Sequence, residues 1–310
     1  MVAKQEKITA QPQSFTRLVS KQYKERNQSF LQQNVNTMTK NMEIICIGNE
    51  LLIGKTLNTN AQWIAKQATA LGIAVKRITV VADDINEIAT ATRETLNRKP
   101  HFAITTGGLG PTFDDKTLEG IAKALNRKLT VNTKALEMVK EKYEAYAKEK
   151  GTETAELTPP RIKMATLPEK AKPLSNPVGT APGVQLDLEE TTLIALPGVP
   201  SEMEAIFQET VEPLLKQASD KSIFYEKSIY ADSIMESSLA PLIDKVMRDN
   251  PGVYIKSHPK GRENRPHIEI HVSITARDAE KSEGKLQKAI VQLSSEIGKI
   301  GGKVVVDELG

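Results

Sequence analysis

Four consecutive apolar residues, Ile44-Ile45-Cys46-Ile47, end abruptly at Gly48. Side chains of a strand point alternately to its two faces, so an unbroken apolar run needs cover on both. That argues against a sheet with one wet face and for a parallel sheet between two layers of helices. The residues that follow fit. A helical period over Asn60–Leu71 turns Ile64 and Ala68 inward and stops at Gly72. Ala74–Val81 then reads as a strand, Ile85–Leu96 as a helix and Phe102–Thr106 as a strand. Helices follow over Asp115–Leu125 and Thr133–Lys150, the second charged and mostly exposed. Thr158-Pro159-Pro160 breaks the pattern, and Leu167–Gly183 reads as a Pro/Gly-rich loop too long to be idle. Thr192–Leu196 is another strand, and helix Ser201–Gln217 opens with a capping box between Ser201 and Glu204.

A second pattern begins after residue 218. Ser222–Ile229 and Tyr254–Lys256 read as strands, and Ile268, Ile270, Val272 and Ile274 alternate with period two. Helices fit Met235–Arg248 and Ala279–Ile297, and Lys303–Val306 closes the sheet. This β-α-β-β-α-β order predicts a small ferredoxin-like α+β domain. The expected divisions are a basic, disordered extension over 1–41, an α/β domain over 42–218 and the small domain over 219–310. A short helix over Phe15–Gln32 is the alternative for the extension.

The location of the charge decides what it means. Residues 1–41 hold seven basic and two acidic residues, whereas the whole chain carries only +3, so the rest is slightly acidic. No basic face for nucleic acid is expected on the folded part. No apolar run reaches the ~18–20 residues of a membrane span, and the N-terminus lacks the apolar core of a secretory signal. A cytoplasmic protein is the expectation. The single cysteine, Cys46, excludes an intrachain disulfide and a cysteine-cluster metal site, and reads as a core residue.

Ligands of open parallel sheets bind beyond the carboxyl ends of the strands. Three segments at such ends carry unusual chemistry: Gly48-Asn49-Glu50, Thr105–Asp115 and Leu196–Glu202. In the middle one, Thr106 leads into Gly107, Gly108, Leu109 and Gly110, with a helix just beyond. Glycines admit the positive φ that turns successive amides inward, and a helix N-terminus adds partial positive charge, so the segment can grip a phosphate. A tight turn that needs small residues is the alternative. Asp114 and Asp115 follow directly. Two acids beside a phosphate call for a cation, because carboxylate and phosphate repel. Helix capping competes with that explanation, as it does for Asp83-Asp84. In Pro197-Gly198-Val199-Pro200, a rigid turn, glycine lets a ligand approach the backbone. His267 and His271 share one strand face but lie roughly 13 Å apart by strand rise, too far to share a metal, so a solvated face is expected.

Taken together, Gly48-Asn49-Glu50-Leu51-Leu52-x-Gly54, Asp83-Asp84 and Thr105-Thr106-Gly107-Gly108-Leu109-Gly110-Pro111-Thr112-x-Asp114-Asp115-x-Thr117 resemble the N-terminal domain of the CinA family of competence/damage-inducible proteins. So do Asn176-x-x-Gly179-Thr180-Ala181-Pro182-Gly183 and Leu196-Pro197-Gly198-Val199-Pro200-Ser201-Glu202-Met203. The resemblance covers Met42–Gln217, and the segment from residue 219 is similar to that family's second module. Broader relatives are the molybdopterin-binding domains of the MoaB/MogA type.

The resemblance implies a three-layer α/β/α fold and metal-dependent hydrolysis of a pyrophosphate bond in an ADP-ribose- or FAD-like nucleotide. The implied substrate-binding residues are Gly48, Asn49, Thr106, Gly107, Gly108, Leu109, Gly110, Asn176, Gly179, Gly198 and Pro200. Asp84, Asp114 and Asp115 would place a divalent cation (magnesium, manganese or cobalt), and Asp84, Asp115 and Glu50 would be catalytic, with Glu50 or Asp84 accepting the proton of the attacking water. Two departures limit the implication. The chain ends before the nicotinamide-mononucleotide deamidase domain usual in full-length CinA proteins, so that activity is not expected. Leu109 stands where molybdopterin relatives commonly carry threonine, which weighs against pterin adenylylation. The alternatives are an adenylyl-transfer enzyme of molybdenum-cofactor assembly and a non-catalytic nucleotide-binding protein. The expected partners are a small nucleotide or pterin and a second copy of the chain in a homo-oligomer, a dimer first, with no nucleic acid and no membrane.

Overall fold

The computed structural model describes residues 40–150, 156–219, 223–260, 267–276 and 278–306. The proposed extension therefore lies outside the described residues, apart from its last two.

β1 (Asn41–Ile47) is paired on both sides and buried from Met42 onward. Ile44 and Cys46 pack among Ile64, Ala68 and Phe207 on one face, and Ile45 and Ile47 against Ile88 and Ala91 on the other. That two-sided cover explains a strand whose one charged residue is Glu43, itself met by Arg98 at 2.7 Å. The short α1 (Asn49–Leu52) leads to α2 (Thr59–Ala70), which is capped by the side chain of Asn58. Next come β2 (Ala74–Val81), α3 (Ile85–Asn97), β3 (Phe102–Thr106) and α4 (Thr117–Leu125). β4 (Leu129–Val131), α5 (Thr133–Lys150), α6 (Pro159–Met164) and β5 (Thr166–Pro168) form a lobe against α4. β6 (Lys172–Leu174), β7 (Gly183–Asp187) and β8 (Thr192–Leu196) return to the sheet, followed by α7 (Pro200–Ile206), a π turn over Phe207–Val211 and α8 (Glu212–Ala218).

The sheet order is β2-β1-β3-β8-β7-β6. Its first four strands are parallel, and β7 and β6 are antiparallel. α2, α7 and α8 cover one face, with Trp63 set edge-on against Phe207 at 5.1 Å. α3, α4 and α5 cover the other. This is a three-layer α/β/α arrangement, as the resemblance implied.

Four expectations need correction. The sheet is mixed rather than parallel, because β6, in the stretch read as a loop, and β7, which follows it, join antiparallel; β5, from the same stretch, pairs with β4 in a separate two-stranded sheet. β6 is only three residues long and contains Pro173, tolerated because an edge strand need not donate every N–H. Pro159 and Pro160 begin a helix, since the first helical N–H groups have no partner and proline forfeits nothing there. The capping box does not form: α7 starts at Pro200 with no side-chain cap. Nor is 201–217 one regular helix, for Pro213 lacks an N–H and crowds the carbonyl four residues back, and the π turn before it takes up the misfit.

The chain divides into two compact units, one reaching residue 225 and including 276–280, the other comprising 226–275 and 281 onward. In the second, β9 (Ile223–Asp232), α9 (Glu236–Asp249), β10 (Val253–Pro259), β11 (His267–Ala276), α10 (Ala279–Lys299) and β12 (Lys303–Val306) build a four-stranded sheet of order β10-β11-β9-β12. Alternation on β11 buries Ile268, Ile270 and Val272. It leaves His267 against Asp232 and His271 against Glu226, each at 2.7 Å, on the half-exposed face. Among the described residues, no helix is long and apolar enough to cross a membrane.

Candidate functional site

The carboxyl ends of β1, β3 and β8 bring the three sequence segments together. The N–H of Gly107 donates to the Leu196 carbonyl at 3.1 Å, and the Thr106 hydroxyl to the Pro197 carbonyl at 2.9 Å. From α2, the Asn60 amide donates to Thr106 Oγ1 and to the Gly198 carbonyl, both at 2.9 Å. Asn60 thus ties the glycine loop to the Pro-Gly turn, a role that the sequence pattern did not single out. The two loops approach so closely that a Cβ on Gly198 would lie 3.3 Å from Gly107 Cα.

Within the loop, Gly107 and Gly108 have φ of +110° and +63°. A Cβ on Gly107 would stand 2.1 Å from the Ile47 carbonyl oxygen, and one on Gly108 2.5 Å from Thr117 Oγ1. Both glycines are therefore demanded by the turn itself. Thr117 holds the turn from the start of α4, its hydroxyl donating to the Gly107 carbonyl at 2.7 Å and its N–H to that of Gly108 at 3.2 Å. The N–H of Gly107 is taken, which removes it from the expected phosphate grip. Those of Gly108, Leu109 and Gly110 find no acceptor among the described residues. Three successive open amides stand before a nine-residue helix, and such amides are strong donors that rarely go unmatched unless water or a ligand takes them. The Leu109 side chain does not face the loop's open side: it is buried in the core with Ile121 and Val139.

α4 starts at Thr117 with Lys116 at its N-cap and no side-chain cap, so neither Asp114 nor Asp115 begins or caps it. The Thr112 hydroxyl instead reaches Asp114 Oδ1 and, at 2.6 Å, Asp115 Oδ2, which also accepts the Thr112 N–H at 2.8 Å. Two carboxylates are thus drawn to one hydroxyl. The Thr112 hydrogen bond, followed by more distant attraction to Lys163 and Lys116, holds the Asp114 carboxyl below its ordinary range. Lys163, on α6, donates to the Thr112 carbonyl.

Asp84 has a different task. It is the N-cap of α3, its Oδ1 accepting from Asn86 at 2.8 Å and from Glu87 at 3.1 Å, and these amides keep its pKa low. Asp83 accepts the Asn49 N–H at 2.8 Å, which joins the first two strand ends. Asn176 uses its polar atoms on its own surroundings: Oδ1 accepts from Val178 and Gly179, and Nδ2 donates to the Ala181 carbonyl and to Glu202. Gly179 leaves room for that Glu202 carboxylate, 2.1 Å from where its Cβ would be. Asn176 and Gly179 accordingly shape a loop, where substrate contact was expected.

A cleft of about 110 Å³ gathers Glu50, Asn58, Asn60, Thr106, Gly107, Gly198 and Pro200 beside the apolar Ile47, Leu51 and Leu57. Gly48 adjoins Glu50, since a Cβ on it would meet that carboxylate. On the other side, Gly108, Leu109, Gly110 and Asp115 border a second cavity of about 420 Å³. Asp84 lines neither. Among the described residues, no three His, Cys, Asp or Glu side chains are placed to hold a metal ion by themselves. Asp114 and Asp115 do fit an ion of the magnesium type, which keeps several waters and needs one or two carboxylates besides substrate phosphate oxygens.

Residues 43–217 match a family described as a probable molybdopterin binding domain. The chain is 48% identical over 254 residues to a protein of Caldivirga maquilingensis, which covers 81% of this chain and 95% of that one. With a protein of Metallosphaera sedula it shares 41% over 261 residues, covering 84% and 95%. Among solved structures it is similar to that of the protein CinA, of unknown function, from Thermoplasma acidophilum. There the identity is 44% and the TM-score 0.51, with 56% of this chain and 98% of the other covered.

Proposed function

Because the chain belongs to the molybdopterin-binding domain family, as a CinA-like member of the MoaB/MogA type, we propose that it hydrolyses the pyrophosphate bond of an ADP-ribose- or FAD-like nucleotide at the glycine loop. The observation that carries this reading is the row of open amides at Gly108, Leu109 and Gly110 before α4. Donors fixed in place hold phosphate oxygens without reorganising when charge develops on them.

Asp114 and Asp115 would hold the divalent cation, which when bound offsets phosphate charge and acidifies water. With only two protein carboxylates, tight cation binding requires the nucleotide's phosphates as well. In the hydrolysis, a water oxygen bonds to one phosphorus, the bridging P–O bond breaks towards the other phosphate, and the water's proton passes to a carboxylate. Of the two acceptors that the resemblance implied, Glu50 lines the cleft with Thr106, Gly107 and Gly198, across the loop from the Gly108–Gly110 amides, so it would serve a nucleotide whose diphosphate spans the loop. Asp84 is the poorer base, because its carboxylate is stabilised by two amides of α3. Oligomerisation belongs to the same reading: Leu52, Ile53 and Leu57 are exposed on the loop after β1 and suit a homodimer.

The test is to incubate the full chain with ADP-ribose, FAD or NADH and magnesium, manganese or cobalt, and to follow AMP release. Metal-dependent release is expected. Binding without release would leave a nucleotide-binding protein, and no binding would end the reading.

A further inference from the structure

In the second unit, β11 lies between β10 and β9, and the half-exposed face of these strands gathers histidines and carboxylates. His271 stands between two acids: Nδ1 is 2.7 Å from Glu226 Oε1, and Nε2 is 3.2 Å from Glu269 Oε1. A neutral imidazole has a single N–H, so it satisfies one carboxylate and turns a lone pair to the other. A cation between that lone pair and its carboxylate removes the conflict. The two distances tell which side takes it. At 2.7 Å, Nδ1 and Glu226 form a short hydrogen bond with no room between them. The wider gap at Nε2 matches two donors of one metal ion, because ligand bonds of ~2.0–2.2 Å put neighbouring donors about 3–3.5 Å apart. A metal-bound histidine commonly gives its other N–H to a carboxylate, which fixes the ring and raises its basicity. Glu269 is held in turn, its Oε2 by Lys260 at 3.1 Å and its Oε1 by the Tyr230 hydroxyl at 3.4 Å. His258 is the cross-strand partner of Glu269, and its ring lies edge-on to that of His271, 4.8 Å between centres.

We propose that this cluster is a transition-metal site of the second unit, for an ion of the zinc class, with His271 Nε2 and Glu269 Oε1 as its first two ligands. Only these two donors are in place among the described residues, so His258 becomes the third by turning its ring towards them. Water completes a four-coordinate shell. Glu226 is a positioning residue, acting through Nδ1 of His271. Imidazole ligands suit zinc, copper or nickel, whereas magnesium prefers oxygen, so the site differs in kind from the one proposed at Asp114 and Asp115. His267, on the same strand face, pairs with Asp232 at 2.7 Å, stacks on Tyr230 and takes no part.

Calorimetric titration of the full chain with Zn²⁺ should show one site that excess Mg²⁺ does not displace. His271→Ala should abolish it, and Glu226→Ala should weaken it by ~10–100-fold through the lost support of the ring. His258→Ala should weaken it at least ~10-fold and provides the test if His271→Ala does not fold. His267→Ala should leave the affinity unchanged. Electron paramagnetic resonance of bound Cu²⁺ adds a readout that does not depend on affinity: coupling to two imidazole nitrogens is expected, falling to one in His258→Ala. If no zinc site withstands Mg²⁺, if His267→Ala weakens it as much as His271→Ala, or if Glu226→Ala leaves it unchanged, the metal site is wrong. His271 would then be an imidazolium held by its two carboxylates. Neither result bears on the glycine loop.

Discussion

Gly108 is glycine for a local reason before any ligand arrives. At φ +63°, with Thr117 Oγ1 2.5 Å from a would-be Cβ, Gly108→Ala should lower stability by about 1–3 kcal/mol, measured by urea unfolding. An unchanged midpoint would mean that the turn is less constrained than its geometry implies. Asp84 and Asp115 are separable by the same logic. Asparagine also caps helices, so Asp84→Asn should keep turnover and, at neutral pH, melt only slightly lower for its lost charge, whereas Asp84→Ala should melt clearly lower. The capping amides depress the Asp84 pKa, so its charge stabilises the fold fully above the ordinary carboxylate range. That contribution disappears as pH falls through the lowered value, and Asp84→Asn should lack this part of the acid sensitivity. Asp115→Asn should instead cost about a hundredfold or more in AMP release while the melting curve holds. Near-normal turnover in Asp115→Asn would remove the cation reading. Which acid caps and which faces the loop was not legible in the sequence, because both pairs precede a helix and read alike.

Helices and strands were legible where burial repeats with a clear period. β2, β3, β8 and α5 have the bounds expected from the sequence, since each packs one defined face or two. What escaped were the three-residue strands, the five-residue β7 and the prolines that open α6, where the chain's conformation is set by neighbours far along it. The join between α3 and β1 is of that kind. Arg98, at the C-cap of α3, donates from Nε to both oxygens of the Glu43 carboxylate and from Nη2 to one of them, and that carboxylate is 6% exposed. Glu43 holds the Arg98 guanidinium in its charged form. Arg98→Leu would strand that carboxylate and should destabilise by about 2–3 kcal/mol, below the ~3–5 of a fully buried pair because Arg98 is partly solvated. Adding Glu43→Gln should recover much of the loss. Failure of that rescue in a double-mutant cycle would mean that Arg98 acts by packing alone.

At the scale of the molecule, the two units have separate cores, one built on β1 and β3, the other on β9 and β11. The single tryptophan, Trp63, belongs to the first, packed on Phe207. Its fluorescence therefore reports that unit alone, while far-ultraviolet circular dichroism reports both. We expect two non-coincident urea transitions by these probes, and coincident ones would mean that the units unfold as one.

The sequence by itself determined the layered α/β class, the ferredoxin-like strand order of the second unit and the loops that form the site. All three follow from local periodicity and from glycine and proline, whose backbone limits do not depend on context. Only the tertiary structure decided which loop groups are available. It gave the Gly107 amide to Leu196, turned Leu109 into the core, made Asp84 a cap and left the amides of Gly108–Gly110 open. The Gly107 acceptor and the core around Leu109 come from segments far along the chain, which no local pattern records, whereas the Asp84 cap is local and only the structure tells it from the other acid pair.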